Sequence, residues 1–233
     1  MAFKNKVKLL IWEEHIVFIG YYNLANAITL TGLVSAVLSC FVAIKARGDG
    51  TAIDVNMINI AVVLFLTSGL CDMFDGRIAR GYGSRTRKEK LFGIQIDSLC
   101  DMVSFGIAPV VIAYCAGYDE IWHIIPYCLY SVCGAIRLAY FNTQAVEETP
   151  DLNMKCFTGV PIPVCCLTVP PIMLLNKIID NATESWVAIA FAAVYLLTGI
   201  AFIINVKIKK LSIMQSLILV AIVLVSVVML FIA

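Results

Sequence analysis

Residues 57–80 read MINIAVVLFLTSGLCDMFDGRIAR, an apolar run that ends in two carboxylates, Asp72 and Asp75. A helix crosses the hydrocarbon core of a bilayer with about 20 mostly apolar residues, and the stretch from Met57 to Met73 approaches that length. Ionised side chains in or beside such a run are costly and mark candidate functional positions. The stretch therefore predicts a membrane-spanning α-helix with a polar site at one end.

The composition of the whole chain agrees with a membrane protein. Of the 233 residues, 61% are hydrophobic and 14% are charged, and the mean hydropathy is +0.92, whereas a soluble domain carries about 25% charged residues. The 17 basic and 16 acidic residues give a net charge of +1, which gives no sign of a nucleic-acid binder or of another strongly charged partner. The composition predicts an all-α, polytopic integral membrane helix bundle.

Seven stretches have the apolarity and approximate length of membrane spans. The N-terminal residues 1–22 are too polar to span and predict an amphipathic helix that lies in the membrane interface. The spans run approximately over Leu24–Ile44, Met57–Met73, Ser98–Ala116, Ile121–Phe141, Val160–Ile179, Trp186–Val206 and Leu211–Ile232.

The basic residues predict the orientation of these spans. Lys and Arg accumulate in cytoplasmic loops, and a cytoplasmic N-terminus leaves only Lys45, Arg47 and Lys177 of the 17 basic residues on the outer side. The other fourteen, counted as 17 minus 3, then lie on the inner side. This orientation places Asp72 and Asp75 at the cytoplasmic face and the C-terminus outside.

A second pair of carboxylates opens the next span. In GIQIDSLCD, residues 93–101, Asp97 and Asp101 are four apart and share a helix face, as Asp72 and Asp75 do at a spacing of three. Two antiparallel helices would bring the pairs together in one pocket. Such a concentration of negative charge requires a divalent cation, and an all-carboxylate set suits Mg²⁺, Mn²⁺ or Ca²⁺ rather than zinc.

The alternative is that the acids form salt bridges with nearby basic residues, which are common at protein surfaces and contribute little. This alternative does not account for Gly76 and Ala79, the small residues that share the face of Asp72 and Asp75. The basic residues concerned are Arg77, Arg80, Arg85, Arg87, Lys88 and Lys90. The last four could also bind anionic lipid headgroups, and a topology signal explains them equally well.

The order of these residues resembles the signature of the CDP-alcohol phosphatidyltransferase family. The pattern runs Asp72-x2-Asp75-Gly76-x2-Ala79-Arg80 and continues as Gly93-x3-Asp97-x3-Asp101. The connection between Arg80 and Gly93 has twelve residues and is longer than is usual in the family. Because this extension lies between two helices, we expect the site to tolerate it.

The resemblance covers residues 23–206, which implies the family's six-helix membrane domain, with residues 207–233 as an additional C-terminal span. It implies an enzyme of phospholipid synthesis that transfers the phosphatidyl group of CDP-diacylglycerol to an alcohol, releases CMP and forms a homodimer. Three stretches favour L-serine as the alcohol, and the expected location is a prokaryotic cell membrane with the site at its cytoplasmic face. They are FGIQIDSLCDMVSFGIAP (92–109), GAIRLAYFN (134–142) and FTGVPIP (157–163).

The resemblance also implies roles for individual residues. The carboxylates would bind a pair of Mg²⁺ or Mn²⁺ ions, and Asp101 would also be the general base. Gly76 and Ala79 would leave room for the cytidine and ribose, and Arg80 would reach the phosphates. The four metal ligands would be Asp72, Asp75, Asp97 and Asp101.

Three further polar residues in the spans are open to two interpretations. Asn26 and Thr29 in the first span either contact the nucleotide or pack helices through their amide and hydroxyl groups. Arg137, in an otherwise apolar span, either binds the carboxylate of serine, or pairs with Asp97 or Asp101, or extends to the membrane interface.

Two other functions remain as alternatives. Within the family, the acceptor could be glycerol 3-phosphate, inositol or inositol phosphate, and the loop bases would suit a phosphorylated alcohol. Outside it, carboxylates in membrane helices also mark the path of a cation transporter. The clustering of the acids at one membrane face, together with Gly76, Ala79 and Arg80, favours the transferase.

Overall fold

The structure is a computed structural model of the chain. It describes residues 19–48, 52–81, 85–147, 156–158, 160–178, 185–209 and 213–232. The interfacial helix predicted over residues 1–22 lies outside the described residues except for its last four positions.

The described part of the chain is helical apart from one short pair of strands, which confirms the predicted all-α bundle. A π-helical turn, Met102–Ile107, joins α3 to α4, and a 3₁₀ turn, Ile162–Val164, precedes α6. The helices are α1 (Leu24–Ala46), α2 (Val55–Gly81), α3 (Arg87–Asp101), α4 (Ala108–Cys115), α5 (Ile121–Glu147), α6 (Cys165–Ile178), α7 (Ser185–Ile203) and α8 (Ile213–Ile232).

Five helical stretches are long and apolar enough to cross a membrane, by length and composition. They correspond to the first, second, third, fourth and sixth predicted spans. The fifth and seventh predicted spans correspond, within the described residues, to shorter apolar helices over Ile162–Leu174 and Val223–Ile232. The five long stretches are Leu24–Ala46, Val55–Ala79, Arg87–Cys115, Ile121–Ala145 and Trp186–Ile203.

Helix α3 begins at Arg87, well before the predicted start of this span at Ser98. The early start has a local cause, a capping box at the first turn. The backbone N–H of Thr86 donates to Oε2 of Glu89 over 2.7 Å, and the N–H of Glu89 donates to the hydroxyl of Thr86 over 3.3 Å, so that two otherwise unpaired donors are satisfied. The basic residues just before Asp97 are therefore helical.

Small residues allow the helices to approach closely, as is common in membrane proteins. At Gly32, where α1 packs against α2, a Cβ atom would lie 2.9 Å from Cβ of Cys71. At Gly199, where α7 packs against α5, it would lie 2.9 Å from Cα of Tyr130. Side chains larger than hydrogen at these two positions would force the helix pairs apart.

The π-helical turn after Asp101 is held by side chains of α5. Pro109 has no N–H to donate to the carbonyl of Phe105, and the Tyr130 hydroxyl donates to that carbonyl instead over 2.6 Å. The Ser131 hydroxyl donates to the next carbonyl, Gly106, over 2.8 Å. The first bond satisfies a carbonyl that Pro109 leaves without its helical donor, and both bonds hold the turn that follows α3 against α5.

Two contacts join connections that the predicted order of spans places on the same side of the membrane. Strand β1 (Cys156–Thr158) pairs antiparallel with β2 (Lys207–Lys209), and both follow spans that should end on the inner side. Arg47 pairs with Asp119, which joins two connections that should both lie outside. We call the end with the strand pair and Asp97 the inner end, and the end with Arg47 and Asp119 the outer end.

Candidate functional site

Three carboxylates converge at the inner end. Asp72 comes from α2, and Asp97 and Asp101 come from successive turns of α3. One carboxylate oxygen of each lies within 4.8 Å of those of the other two, and all three residues are partly buried. Because like charges held this close repel one another, a divalent cation between the three carboxylates would stabilise the arrangement. The three residues fit the oxygen donor set of a hard divalent metal.

Salt bridges do not supply that compensation among the described side chains. With a nitrogen–oxygen distance of 4.0 Å or less as the criterion, the described side chains form one ion pair, Arg47–Asp119, at the outer end. Arg85 and Lys90 are near the acids but are not paired with any of them in the described part of the chain. The described basic side chains therefore do not form the salt bridges considered from the sequence, and the side chain of Arg80 lies outside the described residues.

Asp75 is set apart from the other three acids by a hydrogen bond. Its Oδ2 accepts from the hydroxyl of Thr29 over 2.6 Å, and Asp75 is only 5% exposed. It still borders a small cavity together with Asp72 and Asp101. Thr29, which the sequence left open between nucleotide binding and helix packing, therefore holds a carboxylate of the predicted metal site in place.

A cavity of about 120 Å³ adjoins the carboxylates, between the N-terminal part of α1, the C-terminal part of α2 and the first turns of α3. It collects residues that the sequence analysis singled out on different helices. Those that line it are Asn26, Thr29, Asp75, Gly76, Ala79 and Asp97. The pocket expected from the spacing of the small residues is thus present beside the acids.

Gly93 forms part of the wall of this cavity and has no side chain to occupy it. A Cβ atom at Gly93 would lie 3.6 Å from Oδ1 of Asn26 and 3.9 Å from Nη1 of Arg85. The amide nitrogen of Asn26 donates to the carbonyl of Tyr21 over 2.8 Å, which leaves Oδ1 on the side of Gly93. The absence of a side chain at Gly93 therefore keeps space open between two polar groups.

Arg85 and Lys90 also line the cavity, and the sequence analysis did not assign them to it. It treated them with Arg87 and Lys88 as one set of loop bases. A signal in the sequence could have separated them, because Thr86-x-x-Glu89 is a capping box that starts a helix. That start places Lys90 one turn before Gly93 and two turns before Asp97, on the same helix face.

Arg137 lies in a different cavity, of about 200 Å³, whose lining in the described residues includes no acid. It is 6% exposed, and its Nε donates to the carbonyl of Val160 over 3.3 Å. Neither Asp97 nor Asp101 pairs with it among the described side chains. The interpretation of Arg137 as a salt-bridge partner of these acids is therefore wrong.

The depth of Arg137 in the bundle follows from two hydrogen bonds between α3 and α5. The hydroxyl of Ser98 donates to Oδ1 of Asn142 over 2.7 Å at the inner end. The hydroxyl of Tyr130 donates to the carbonyl of Phe105, farther from that end along the same two helices. Arg137 lies between the two contacts on α5, as Asp101 does on α3. The two residues are thus at similar depth.

The side chain of Arg80, the remaining predicted contact, lies outside the described residues.

Comparison with known proteins identifies the family of the chain. The family model for CDP-alcohol phosphatidyltransferases matches residues 22–198. The CDP-diacylglycerol–serine O-phosphatidyltransferase of Helicobacter pylori is 33% identical over 154 residues, which cover 64% of this chain and 60% of the relative. The enzyme of that name from Saccharomyces cerevisiae is 36% identical over 103 residues, 42% of this chain and 36% of the relative.

An archaeal relative has a related name. The archaetidylserine synthase of Methanothermobacter thermautotrophicus is 37% identical over 113 residues, 48% of this chain and 45% of the relative. The matched part thus spans between 36% and 60% of the length of these three relatives. No solved structure matches the chain at a significant level. The membrane-length helices and the membrane-associated family together make the chain an integral membrane protein.

Proposed function

Because the chain belongs to the CDP-alcohol phosphatidyltransferase family, we propose that it transfers the phosphatidyl group of CDP-diacylglycerol to L-serine, forming phosphatidylserine and CMP. The observation that carries the proposal is the convergence of Asp72, Asp97 and Asp101 within 4.8 Å beside a cavity walled by Gly76, Ala79 and Gly93. Serine is favoured as the acceptor because it appears in the names of the three relatives.

The carboxylates of Asp72, Asp97 and Asp101 would hold the metal, with Asp75 beside them. Enzymes of this family depend on metal, and the oxygen donors suit Mg²⁺ or Mn²⁺. When bound, the metal supplies positive charge that offsets the charge of the diphosphate. The Thr29 hydroxyl fixes the orientation of the Asp75 carboxylate through their 2.6 Å hydrogen bond, at the border of the small cavity that Asp75 shares with Asp72 and Asp101.

The chemical step is a displacement at phosphorus. The hydroxyl oxygen of serine forms a bond to the phosphorus that carries diacylglycerol, and the bond from that phosphorus to the bridging oxygen of CMP breaks. The hydroxyl proton passes to a carboxylate oxygen of Asp101, and CMP leaves with the bonding electron pair. Since a carboxylate is a weak base for an alcohol, alignment of the hydroxyl must supply much of the rate.

The small residues and the polar residues of the cavity would bind the nucleotide. Gly76 and Ala79 on α2 leave the helix surface open to the cytidine and ribose, and Gly93 does so on α3. The Oδ1 of Asn26 is available as an acceptor for an amino group of the base. Arg80 is the residue directly after Ala79, and its guanidinium would contact the phosphates.

Arg137 would bind the carboxylate of serine. Its support is a guanidinium that is nine-tenths buried without a carboxylate partner among the described residues, at the depth of Asp101. A buried charge of this kind requires an anionic partner. Replacing Arg137 with Lys or Met should raise the KM for serine far more than that for CDP-diacylglycerol, and equal increases in both would contradict the assignment.

We extend the proposal to the organisation of the protein. Residues 23–206 would form the catalytic membrane domain, flanked by the N-terminal segment 1–22 and the C-terminal span 207–233. The inner end would face the cytoplasm of a prokaryotic cell, since the basic residues accumulate there, and two copies would form a homodimer.

The test is an assay of CMP release by the purified full-length chain in detergent, with CDP-diacylglycerol and Mg²⁺ or Mn²⁺. Serine, glycerol 3-phosphate and inositol are supplied separately. We expect release with serine and none without divalent metal. Release with another alcohol but not with serine would overturn the acceptor, and no release with any alcohol would overturn the transferase activity.

A further inference from the structure

The four bases before and within the first turn of α3 fall into two sets. Arg85 and Lys90 line the cavity beside the carboxylates and are partly buried. Arg87 and Lys88, which lie between them in the sequence, are exposed. A topology signal or an attraction to lipid headgroups would act equally on all four, so it does not explain why two of them turn into the cavity.

The guanidinium of Arg85 is fixed in position and retains free donors. Its Nη2 donates to the carbonyl of Ala79 over 2.7 Å, near the end of α2. Its Nε is buried and has no hydrogen-bond partner among the described residues, and its Nη1 faces Gly93. A buried donor left unpaired is costly, so this side of the guanidinium is suited to an acceptor that enters the cavity.

Lys90 faces the same space from α3. It shares a helix face with Gly93, Ile94 and Asp97, at the successive spacings of three, one and three residues that place side chains on one side of a helix. All four residues line the cavity. Neither Lys90 nor Arg85 has a carboxylate within 4.0 Å among the described side chains.

We propose that Arg85 and Lys90 bind the phosphate of the cytidine nucleotide, the group that departs as CMP. This inference rests on the proposed function and adds two residues to it. Cytosine and ribose carry no net charge, whereas the phosphate offers an anion to two cations that have no carboxylate within 4.0 Å among the described side chains. The phosphate also becomes more negative as the bond to the phosphatidyl group breaks, so cations placed there stabilise the departing group more than the bound substrate.

The experiment measures the affinity of the purified full-length chain for CMP and for cytidine by calorimetry, at a fixed Mg²⁺ concentration. The variants are Arg85→Gln and Lys90→Gln, with Arg87→Gln and Lys88→Gln as controls that remove the same charge from the exposed positions. We expect the first two to raise the Kd for CMP by about 10- to 100-fold and to leave cytidine binding unchanged. The controls should affect neither ligand.

Arg85→Lys serves as a second variant, since Arg85 also contacts the backbone of Ala79 and its loss could disturb folding. It should retain part of the CMP affinity through its charge, and Lys90→Gln tests the proposal without removing any backbone hydrogen bond that the structure records. Thermal unfolding in detergent shows whether each variant remains folded. If the Arg85 variants do not fold, the CMP affinity of Lys90→Gln alone tests the inference.

The possible results separate a failure of this inference from a failure of the proposed function. Equal losses of CMP and cytidine affinity, or an increase confined to the KM for serine, would place these bases at the nucleoside or at the acceptor and overturn the inference. Unchanged CMP affinity in both variants would also overturn it, while CMP release with serine still supported the proposed function. If the unaltered chain bound no CMP and released none, both would be overturned.

Discussion

Aspartates lie at both ends of this helix bundle, and the two ends treat them differently. At the outer end, Asp119 accepts a hydrogen bond from Arg47, whose guanidinium also donates to the carbonyl of Tyr114 over 3.0 Å. At the inner end, Asp72, Asp97 and Asp101 face one another, with no basic side chain paired to them in the described ranges. The first arrangement pairs the acid with a base, whereas the second groups acids that have no basic partner among the described side chains.

The pKa of Asp119 reflects its partner. The Arg47 guanidinium, through its hydrogen bond, holds the pKa of the Asp119 carboxyl below its usual range, and the carboxylate raises the pKa of Arg47 in return. The same residue type thus stabilises the fold where it has a basic neighbour and forms a candidate site where it has only acidic ones. The partner of an aspartate, rather than its presence in a membrane protein, therefore indicates whether the residue stabilises the fold or belongs to a candidate site.

The largest expected effect is the loss of activity in Asp101→Asn. Because Asp101 is the proposed general base and a proposed metal ligand, the substitution should lower the rate of CMP release by about 1,000-fold or more. Asp119→Asn, at the outer end, should keep nearly full activity. Assays of the two purified variants at saturating serine measure this difference. Comparable losses in both variants would mean that the two ends do not differ in function.

A second prediction concerns stability without metal. Because Asp101→Asn removes one of three crowded negative charges, the metal-free variant should unfold at a higher temperature than the unaltered protein. Mg²⁺ or Mn²⁺ at about 100 times its Kd adds about 2.7 kcal/mol to a protein that binds it, and should raise the unfolding midpoint by several degrees.

This rise should be absent in Asp101→Asn and present in Asp119→Asn. The measurement is thermal unfolding in detergent with chelator or with the divalent ion. An equal rise in all three proteins would show that the ion binds somewhere other than the inner carboxylates.

Gly93→Ala should have a smaller effect that separates activity from stability. Its Cβ would be in ordinary contact distance of Asn26 and Arg85, so the helix should accept it and gain about 1 kcal/mol. The methyl group would nevertheless occupy the cavity and raise the KM for CDP-diacylglycerol by about tenfold, the equivalent of about 1.4 kcal/mol.

Gly81→Ala is the matched control for this substitution. Position 81 ends α2, and no atom of the described residues lies within 4 Å of the Cβ that would be added. It should change neither the KM nor the turnover. A similar increase in KM for both variants would argue against Gly93 as a wall of the substrate cavity.

The smallest expected effect is on the outer ion pair. Since the folded-state pKa of Asp119 is lowered, its contribution to stability is present above the ordinary Asp pKa of about 3.9 and is lost as the pH falls through the lower folded-state value. Arg47 and Asp119 have side chains 36% and 30% exposed, so solvent screening limits the contribution to about 1 kcal/mol at most.

Unfolding midpoints of the unaltered chain and of Asp119→Asn, measured from neutral to acidic pH, test this. The gap between them should be small at pH 7 and should close as the carboxyl of Asp119 is protonated. A gap that stayed constant down to the acid limit would show that the charge of Asp119 does not stabilise the fold.

The local features of the chain were readable in the sequence. The apolar runs predicted the five long spans, because the length needed to cross a bilayer is fixed and hydropathy is a property of consecutive residues. The spacing of Asp97 and Asp101 predicted their common face, because helix periodicity is local. The start of α3 at Arg87 was missed, although the capping residues Thr86 and Glu89 were present.

Contacts between distant residues were decided by the tertiary structure. Nothing in the spacing indicated that Thr29 would bond to Asp75, or that Arg137 would lie in a cavity separate from the one beside the acids. Likewise, four bases within six residues form one group in the sequence, but only Arg85 and Lys90 line the cavity. The sequence by itself determined the helices and the faces on which the acids lie, since these depend on neighbouring residues. The packing of α1, α2 and α3 determined which side chains meet, since that depends on how helices far apart in the chain approach one another.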